Sequence, residues 1–319
     1  MLSPWLHRIL GEYNIKPGRI YYPIHVFVRL SPYLIHCVST MLKTPALHCP
    51  VCHEVLSLDE RTWHCSNKHS FDRAREGYVN LLLPQHKSSR NPGDSKEMMQ
   101  HRQHFLNAGY YHHLVITLAS IIAEHRAGEL YMLLDAGCGE GYYMDAISAL
   151  LRERQGYSLA GVDIAKEGVR LAAKRKVFDQ LAVASVYKLP YSNDSLDGIY
   201  SVFSPISNDE FYRILKPGGT LIAVGPGTNH LRSLAEKIYD KVVPHTMTFS
   251  AIDQQHHFTF INEQLIESEI TVAAEHLLSL LKMTPYYWHA TQEQQQSLAE
   301  LEQLVTPVSF AIHTYKKRQ

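Results

Sequence analysis

The sequence predicts an α/β fold: a parallel sheet flanked by helices, preceded by a small zinc-binding domain. Three observations carry this. From Leu130 onward, short apolar runs alternate with helical patterns, which implies βαβ units and a parallel sheet. A glycine-rich turn, "DAGCGEG", joins the first of these runs to the first helix of the series. Ahead of both, three of the five cysteines fall in one short polar stretch at metal-ligand spacing.

The strands are expected at "LYMLLDA", "YSLAGVDI", "QLAVAS", "LDGIYSVF" and "TLIAVG", with helices near 142–154, 166–176, 207–215 and 229–242. The tail "SFAIHTYKK" reads as a last strand, antiparallel at an edge. Upstream, apolar positions from Met98 to Ile121 recur at helical intervals over 96–125. Residues 84–95 carry Pro, Gly, Ser and Asn and read as a loop. The domain reading is an N-terminal extension over 1–44, a zinc-binding domain over 45–83 and a catalytic domain over 84–319.

A chain of 319 residues with 45% hydrophobic content can bury a sizeable core. Its 31 positive and 31 negative side chains balance, so no global basic field announces nucleic acid and any such site must be local. Clustered cysteines in odd number argue for a reducing compartment, hence a cytoplasmic location. The apolar stretch "YYPIHVFVRLSPYLIHCV" is broken by His25, Arg29, Pro32 and His36. It fits neither a membrane span nor a signal peptide. Residues 1–40 read either as a loosely held extension or as sequence upstream of a start at Met41.

In "LLDAGCGEGYY" (133–143), a strand runs into Gly137, Gly139 and Gly141 and then into a helix. Such a turn brings bare backbone and free helix N–H groups up to a ligand. The spacing is G-x-G-x-G, whereas the dinucleotide fingerprint is G-x-G-x-x-G. Asp135 precedes the glycines, where a carboxylate suits a cationic head better than a diphosphate. Asp163 ends the second strand, where an acid binds a ribose hydroxyl pair. The balance favours S-adenosylmethionine over a nicotinamide cofactor or an unliganded turn. Downstream, "ASVYKLPYSNDSLDGIYS" and "ILKPGGTLI" resemble the loop, acidic turn and Pro-Gly-Gly turn of class I (Rossmann-like) methyltransferases.

Cys49-x2-Cys52-x12-Cys65-x3-His69 offers three sulfurs and one imidazole, a closed tetrahedral shell of the structural zinc type. A Cys49–Cys52 redox pair or free thiols are the alternatives, and His64 is the rival to His69. His48 and His53 read as spectators. Cys37 lies in the N-terminal stretch, and Cys138 reads as a small buried residue.

The order of parts resembles the bacterial 23S ribosomal RNA guanine-N1 methyltransferase family, called RlmA. "EGYVNLL", "NPGDSKEMM", "LDAGCGEGYY" and "LKMTPYYW" carry the likeness over nearly all of 47–315. It implies a zinc domain that helps recognise an RNA hairpin, with zinc on Cys49, Cys52, Cys65 and His69. It implies cofactor contacts at Tyr111, Gly139, Glu140 and His230, and a homodimer with an RNA cleft. Tyr111 and His230 come from the resemblance alone; by residue type they read as a core aromatic and a helix-start residue.

Methylating guanine N1 needs the base unpaired and N1–H deprotonated near transfer. Phe203 and Pro205 could stack on it, as could Tyr286-Tyr287-Trp288. Asp209 or Glu210 could accept the proton, or could equally serve the helix start. Relatives often carry Tyr-Ala-Pro where this chain has Phe203-Ser204-Pro205, which removes a tyrosine hydroxyl. Lys68, Arg73, Arg75, Lys87 and Arg90 form the best local basic group for phosphates. A small-molecule methyltransferase and a catalytically silent zinc- and RNA-binding protein remain as alternatives.

Overall fold

The computed structural model describes residues 44–86, 92–151, 156–245 and 256–318, together with Phe249, Ile252 and a short antiparallel pairing of Ile20–Tyr21 with Phe27–Val28. Cys37, Lys87, Arg90 and the rest of the expected N-terminal extension up to Lys43 fall outside the described residues. The chain divides after Lys43, and the second unit, Thr44–Gln319, holds all that follows.

The unit begins with a three-stranded antiparallel meander, β1 (Ser57–Asp59), β2 (Thr62–His64) and β3 (Ser70–Asp72). The short strand β4 (Val79–Asn80) follows, then helices α1 (Lys96–Asn107) and α2 (His112–His125). The alternating series is β5 (Tyr131–Ala136), α3 (Tyr142–Leu151), β6 (Tyr157–Asp163), α4 (Lys166–Arg175) and β7 (Gln180–Val183). It continues with β8 (Leu196–Val202), α5 (Asn208–Ile214), β9 (Leu215–Pro226) and α6 (Arg232–Ile238). The chain closes with β10 (Phe258–Ala273), α7 (Ala274–Lys282), α8 (Gln292–Ala299) and β11 (Gln303–Lys317).

The main sheet has the order β10-β11-β9-β8-β5-β6-β7-β4. All pairs are parallel except the two made by β11. The central strands are almost wholly buried because helices or the meander cover both faces. Alternation sends Leu133, Tyr200 and Ile222 into one core and Leu134, Ile199 and Leu221 into the other. From β5 the chain steps outward to β6 and β7, then returns to β8 on the other side of β5. That reversal leaves a crevice at the carboxyl ends of β5 and β8, where open α/β sheets bind ligands.

Two expectations change. The last strand is antiparallel, as expected, but it does not form the edge: β10 pairs with it from Phe258↔Lys317 to Ala273↔Gln303. The strand was hard to see because much of "FTFINEQLIESEITVA" is solvent-exposed and its alternation is therefore weak. Exposed Glu263, Glu267 and Glu269 discourage further pairing along this edge. The Pro-Gly-Gly turn lies inside β9, where the register jumps from Leu196↔Leu215 to Gly198↔Thr220 and bulges Lys216–Gly219 outward.

The meander is not a separate bead. Leu47, Cys49, Leu56 and Cys65 share one buried core with Ala184, Leu189, Tyr191 and the sheet. The backbone N–H of His48 donates to Pro190 at 2.9 Å, and Gln180 donates to the Pro45 carbonyl at 2.8 Å. Strand β4, at the end of the expected zinc domain, forms the outer edge of the main sheet against β7. Leu47→Ala should therefore destabilise the whole unit by about 2–5 kcal/mol and lower its melting temperature as one transition. A separate early transition, with the rest unshifted, would contradict the shared core.

Candidate functional site

The four expected metal ligands meet in the meander. One donor atom from each of Cys49, Cys52, Cys65 and His69 lies within 4.8 Å of every other. Cys52 Sγ is 3.6 Å from Cys65 Sγ, and Cys65 Sγ is 3.4 Å from His69 Nδ1. Zinc bonds of ~2.3 Å to sulfur and ~2.0 Å to nitrogen place tetrahedral ligands about 3.5–3.8 Å apart, so the cage fits that ion. A disulfide would need about 2 Å between sulfurs. Two tight turns build the cage. His53 and Lys68 both adopt left-handed backbone, with φ of 62° and 64°. His53 N–H returns to the Cys49 carbonyl at 2.9 Å, and Lys68 N–H to that of Cys65 at 3.0 Å. The Glu54 N–H, chiefly, pulls the Cys52 thiol down to about 6, towards the thiolate form a metal takes.

The glycine turn lies at the crevice. Gly137 has a φ of 87°, and an added Cβ would sit 2.0 Å from Ser204 Oγ, so the turn and the loop after β8 touch. Gly141 packs on Ala172 of α4, while Gly139 faces Met99 and Arg102 of α1. Asp163 fixes the turn: its carboxylate accepts from Gly139 N–H at 2.8 Å and Ala165 N–H at 2.7 Å. Asp135 is 2% exposed and accepts from the Tyr200 hydroxyl at 2.7 Å, its register partner on β8. Burial is the main cause that raises Asp135 to about 8, with Asp163 and Glu140 adding to it.

Glu140 is buried against Arg175 of α4, which also donates to Asp145 at 2.9 Å and to Asn107 of α1 at 3.0 Å. One guanidinium thus ties α1, the turn and α3 together. Arg102 pairs with Asp94 at 2.5 Å. The turn therefore gathers three carboxylates, the buried Asp135 and Glu140 and the partly buried Asp163. This donor set fits a cationic ligand such as S-adenosylmethionine and suits a diphosphate poorly.

Tyr111 and His230, which residue type alone would leave in the core, meet in space. Tyr111 Oη is 3.2 Å from His230 Nε2, and both residues are buried. Phe310 packs edge-on against both rings. Phe203, at the end of β8, is 44% exposed and has a φ of 52°, a strained position for a bulky residue. Its ring centroid is 5.4 Å from that of His230. The Tyr143 phenol on α3 is raised first by burial and then by Tyr111 and Tyr142, with Glu140 also contributing. Tyr286 is hydrogen-bonded to His245 at 2.8 Å, and Trp288 is exposed.

The two acids expected to accept a proton have other partners in the structure. Both Glu210 oxygens are committed, to the Leu189 N–H at 2.7 Å and to the Arg213 guanidinium at 2.8 Å. Asp209 points outward, its side chain 83% exposed and 3.4 Å from His257. Helix-start acids look alike in sequence whether they serve a loop or a reaction. Of the basic group, Lys68, Arg73 and Arg75 are exposed on the meander side. A cavity of about 830 Å³ opens between the first metal turn and loop 184–193, lined by His53, Gln85, Tyr187 and Asn193 among others.

A sheet of this order, with an acid-rich glycine turn at its reversal, defines an S-adenosylmethionine-dependent methyltransferase, here with a zinc-ribbon module in front. Family profiles agree: residues 47–90 match the RlmA N-terminal zinc ribbon and 134–223 a methyltransferase domain. The 23S rRNA (guanine(748)-N(1))-methyltransferase of Streptomyces fradiae is 30% identical over 83% of this chain and 95% of its own length. A putative 23S rRNA (guanine-N(1)-)-methyltransferase of Micromonospora griseorubida is 31% identical over 77% of this chain and 88% of its own. One of Bacillus subtilis is 28% identical over 80% and 91%. The chain belongs to the 23S rRNA (guanine-N1)-methyltransferase family. Among the described residues, no helix is long and apolar enough to cross a membrane.

Asp135 gives the site a measurable signature. Its folded value of about 8 lies above the ordinary 3.8. The folded chain keeps that proton while the unfolded chain loses it, so stability falls as pH rises from about 4 to about 8, by up to ~1.4 kcal/mol per unit. Asp135→Asn removes this loss. Without cofactor, the variant should melt above the parent at pH 8 and the gap should narrow at pH 5. A gap that is flat or reversed would contradict the assignment.

Proposed function

We propose that this chain transfers the methyl group of S-adenosylmethionine to N1 of a guanine in a hairpin of large-subunit ribosomal RNA. One observation carries the reading: a zinc-type cage shares its buried core with the sheet whose glycine turn suits a sulfonium cofactor. Relatives that align along most of both chains are named for this reaction.

In this reading Cys49, Cys52, Cys65 and His69 hold one structural zinc ion, which leaves no open position for catalysis. Gly137, Gly139, Glu140 and Gly141 shape the turn around the cofactor. Asp163 faces its ribose, Asp135 becomes a counter-charge by losing its proton when the cationic head binds, and Tyr111 and His230 close the far side. Phe203 stacks on the unpaired guanine; its strained backbone holds the ring at the mouth of the site. When bound, the cofactor supplies a methyl group on a good leaving group. Phe203 and the crevice would hold the base with N1 towards that methyl group and N1–H towards open solvent, which would take the proton.

Lys68, Arg73 and Arg75 lie beside the cage and would contact phosphates. A homodimer, RNA binding by the zinc module and a cytoplasmic location complete the proposal. The test is purified protein, labelled cofactor and unmodified large-subunit RNA, read by reverse-transcription stops. A single cofactor-dependent stop at one hairpin guanine is expected, from protein carrying one zinc per chain. Methyl transfer to small molecules without a stop, or cofactor binding without any transfer, would overturn the reading.

A further inference from the structure

The place of His230 can be derived from where β9 ends. The ladder between β9 and β11 stops at Pro226↔Phe310. One residue on, Ser309 still presents a backbone N–H and carbonyl to that side. Both are taken up by the next turn. Gly227 N–H donates to the Ser309 carbonyl at 2.8 Å, and Ser309 N–H donates to His230 Nδ1 at 3.3 Å. The turn can lie this close because residue 227 has no side chain; an added Cβ would sit 2.0 Å from Ser309 Oγ. Leu231 N–H then donates to the Pro307 carbonyl at 2.8 Å and clamps the far side of the turn.

An imidazole nitrogen that accepts a hydrogen bond carries no proton. His230 is buried, and burial, mainly, pulls it down to about 3, so the ring is neutral at physiological pH. A neutral ring with Nδ1 bare has its proton on Nε2. Nε2 is the nitrogen that faces Tyr111 Oη at 3.2 Å. The contact therefore runs from His230 N–H to the tyrosine oxygen, and the phenol proton is turned elsewhere. Burial also raises the Tyr111 phenol, so it stays protonated. We propose that His230 is a positioning residue: locked as the Nε2–H tautomer by Ser309, it makes Tyr111 donate its hydroxyl proton to an anionic oxygen of the bound ligand.

This rests on the reading of Tyr111 as a site residue in a guanine methyltransferase. Two ligand oxygens share the required chemistry. One is the carboxylate of the cofactor's methionine part. The other is guanine O6, which gains negative charge as N1 loses its proton. The pair is also excluded from taking the N1 proton, since neither ring nitrogen has a free lone pair and the phenol keeps its own proton.

The first measurement is the nitrogen NMR spectrum of histidine-labelled protein with S-adenosylhomocysteine bound; His230 should show a protonated Nε2 and a bare Nδ1. The second is a cycle of Tyr111→Phe, His230→Leu and the double variant. Each is assayed for S-adenosylhomocysteine affinity by calorimetry and for turnover on RNA. Tyr111→Phe should cost about 10- to 100-fold, the usual range for a hydrogen bond to a charged acceptor. The loss falls on affinity if the oxygen is the carboxylate, and on turnover if it is O6. His230→Leu should cost about the same, and the double variant no more than Tyr111→Phe alone. His230→Gln keeps a donor near the Nε2 position and should recover most of the loss, which separates positioning from collapse of the turn. A protonated Nδ1, additive losses, or no loss from Tyr111→Phe would each overturn the proposal. Tautomer and affinity are read without RNA, so failure of the parent protein to methylate guanine would sink the proposed function and leave this result standing.

Discussion

Three carboxylates gathered around one glycine turn, two of them buried, set the terms for the rest of the site. Asp163 and Glu140 stand close enough to Asp135 to add to the rise that burial causes. Burying like charges is costly unless a cation joins them or a proton neutralises them. The fold meets part of the demand with Arg175, which engages Glu140, and part with the backbone N–H groups that Asp163 receives. Asp135 accepts the Tyr200 hydroxyl and, raised chiefly by burial, retains its proton at neutral pH. A ligand with a positive head completes the arrangement. Sheet order makes this possible, because the reversal between β5 and β8 opens the one place where these side chains and a ligand can meet.

The metal module answers to the same sheet. A segment this short cannot form an independent core, and a tetrahedral ion supplies the missing folding energy. Here the cage also leans on the catalytic core through Leu47, Cys49, Leu56 and Cys65. Its basic rim, with Lys68 at the second metal turn, is thereby held at a fixed orientation to the crevice. Rigid coupling of this kind would give the proposed RNA hairpin one surface across both parts.

Much of this was legible in the sequence. Buried parallel strands read as continuous apolar runs, so β5 to β8 stood out. The cage was legible because metal chemistry fixes spacing as well as residue type, at Cys49, Cys52, Cys65 and His69. Strand β10 was hidden because half of its side chains face water. Tyr111 and His230 could not be joined by pattern, since one starts α2 and the other precedes α6, and only the fold of β11 brings them within 3.2 Å. Family resemblance was the signal that found them. Asp209 and Glu210 show how an acid at a helix start has a structural use that sequence cannot tell from catalysis. Glu210 ties α5 to loop 189–191, and Asp209 meets His257 at the surface.

The central claim is that the glycine turn is built for a cation and that Asp135 answers its arrival. The direct measurement is calorimetry of cofactor binding at pH 7 in two buffers that differ in ionisation enthalpy. S-adenosylmethionine, with its sulfonium, should drive a proton off Asp135 and into the buffer. S-adenosylhomocysteine should release less, and Asp135→Asn should abolish the difference between the two ligands. Binding of S-adenosylmethionine with no proton released, or with the same release in the asparagine variant, would contradict the account.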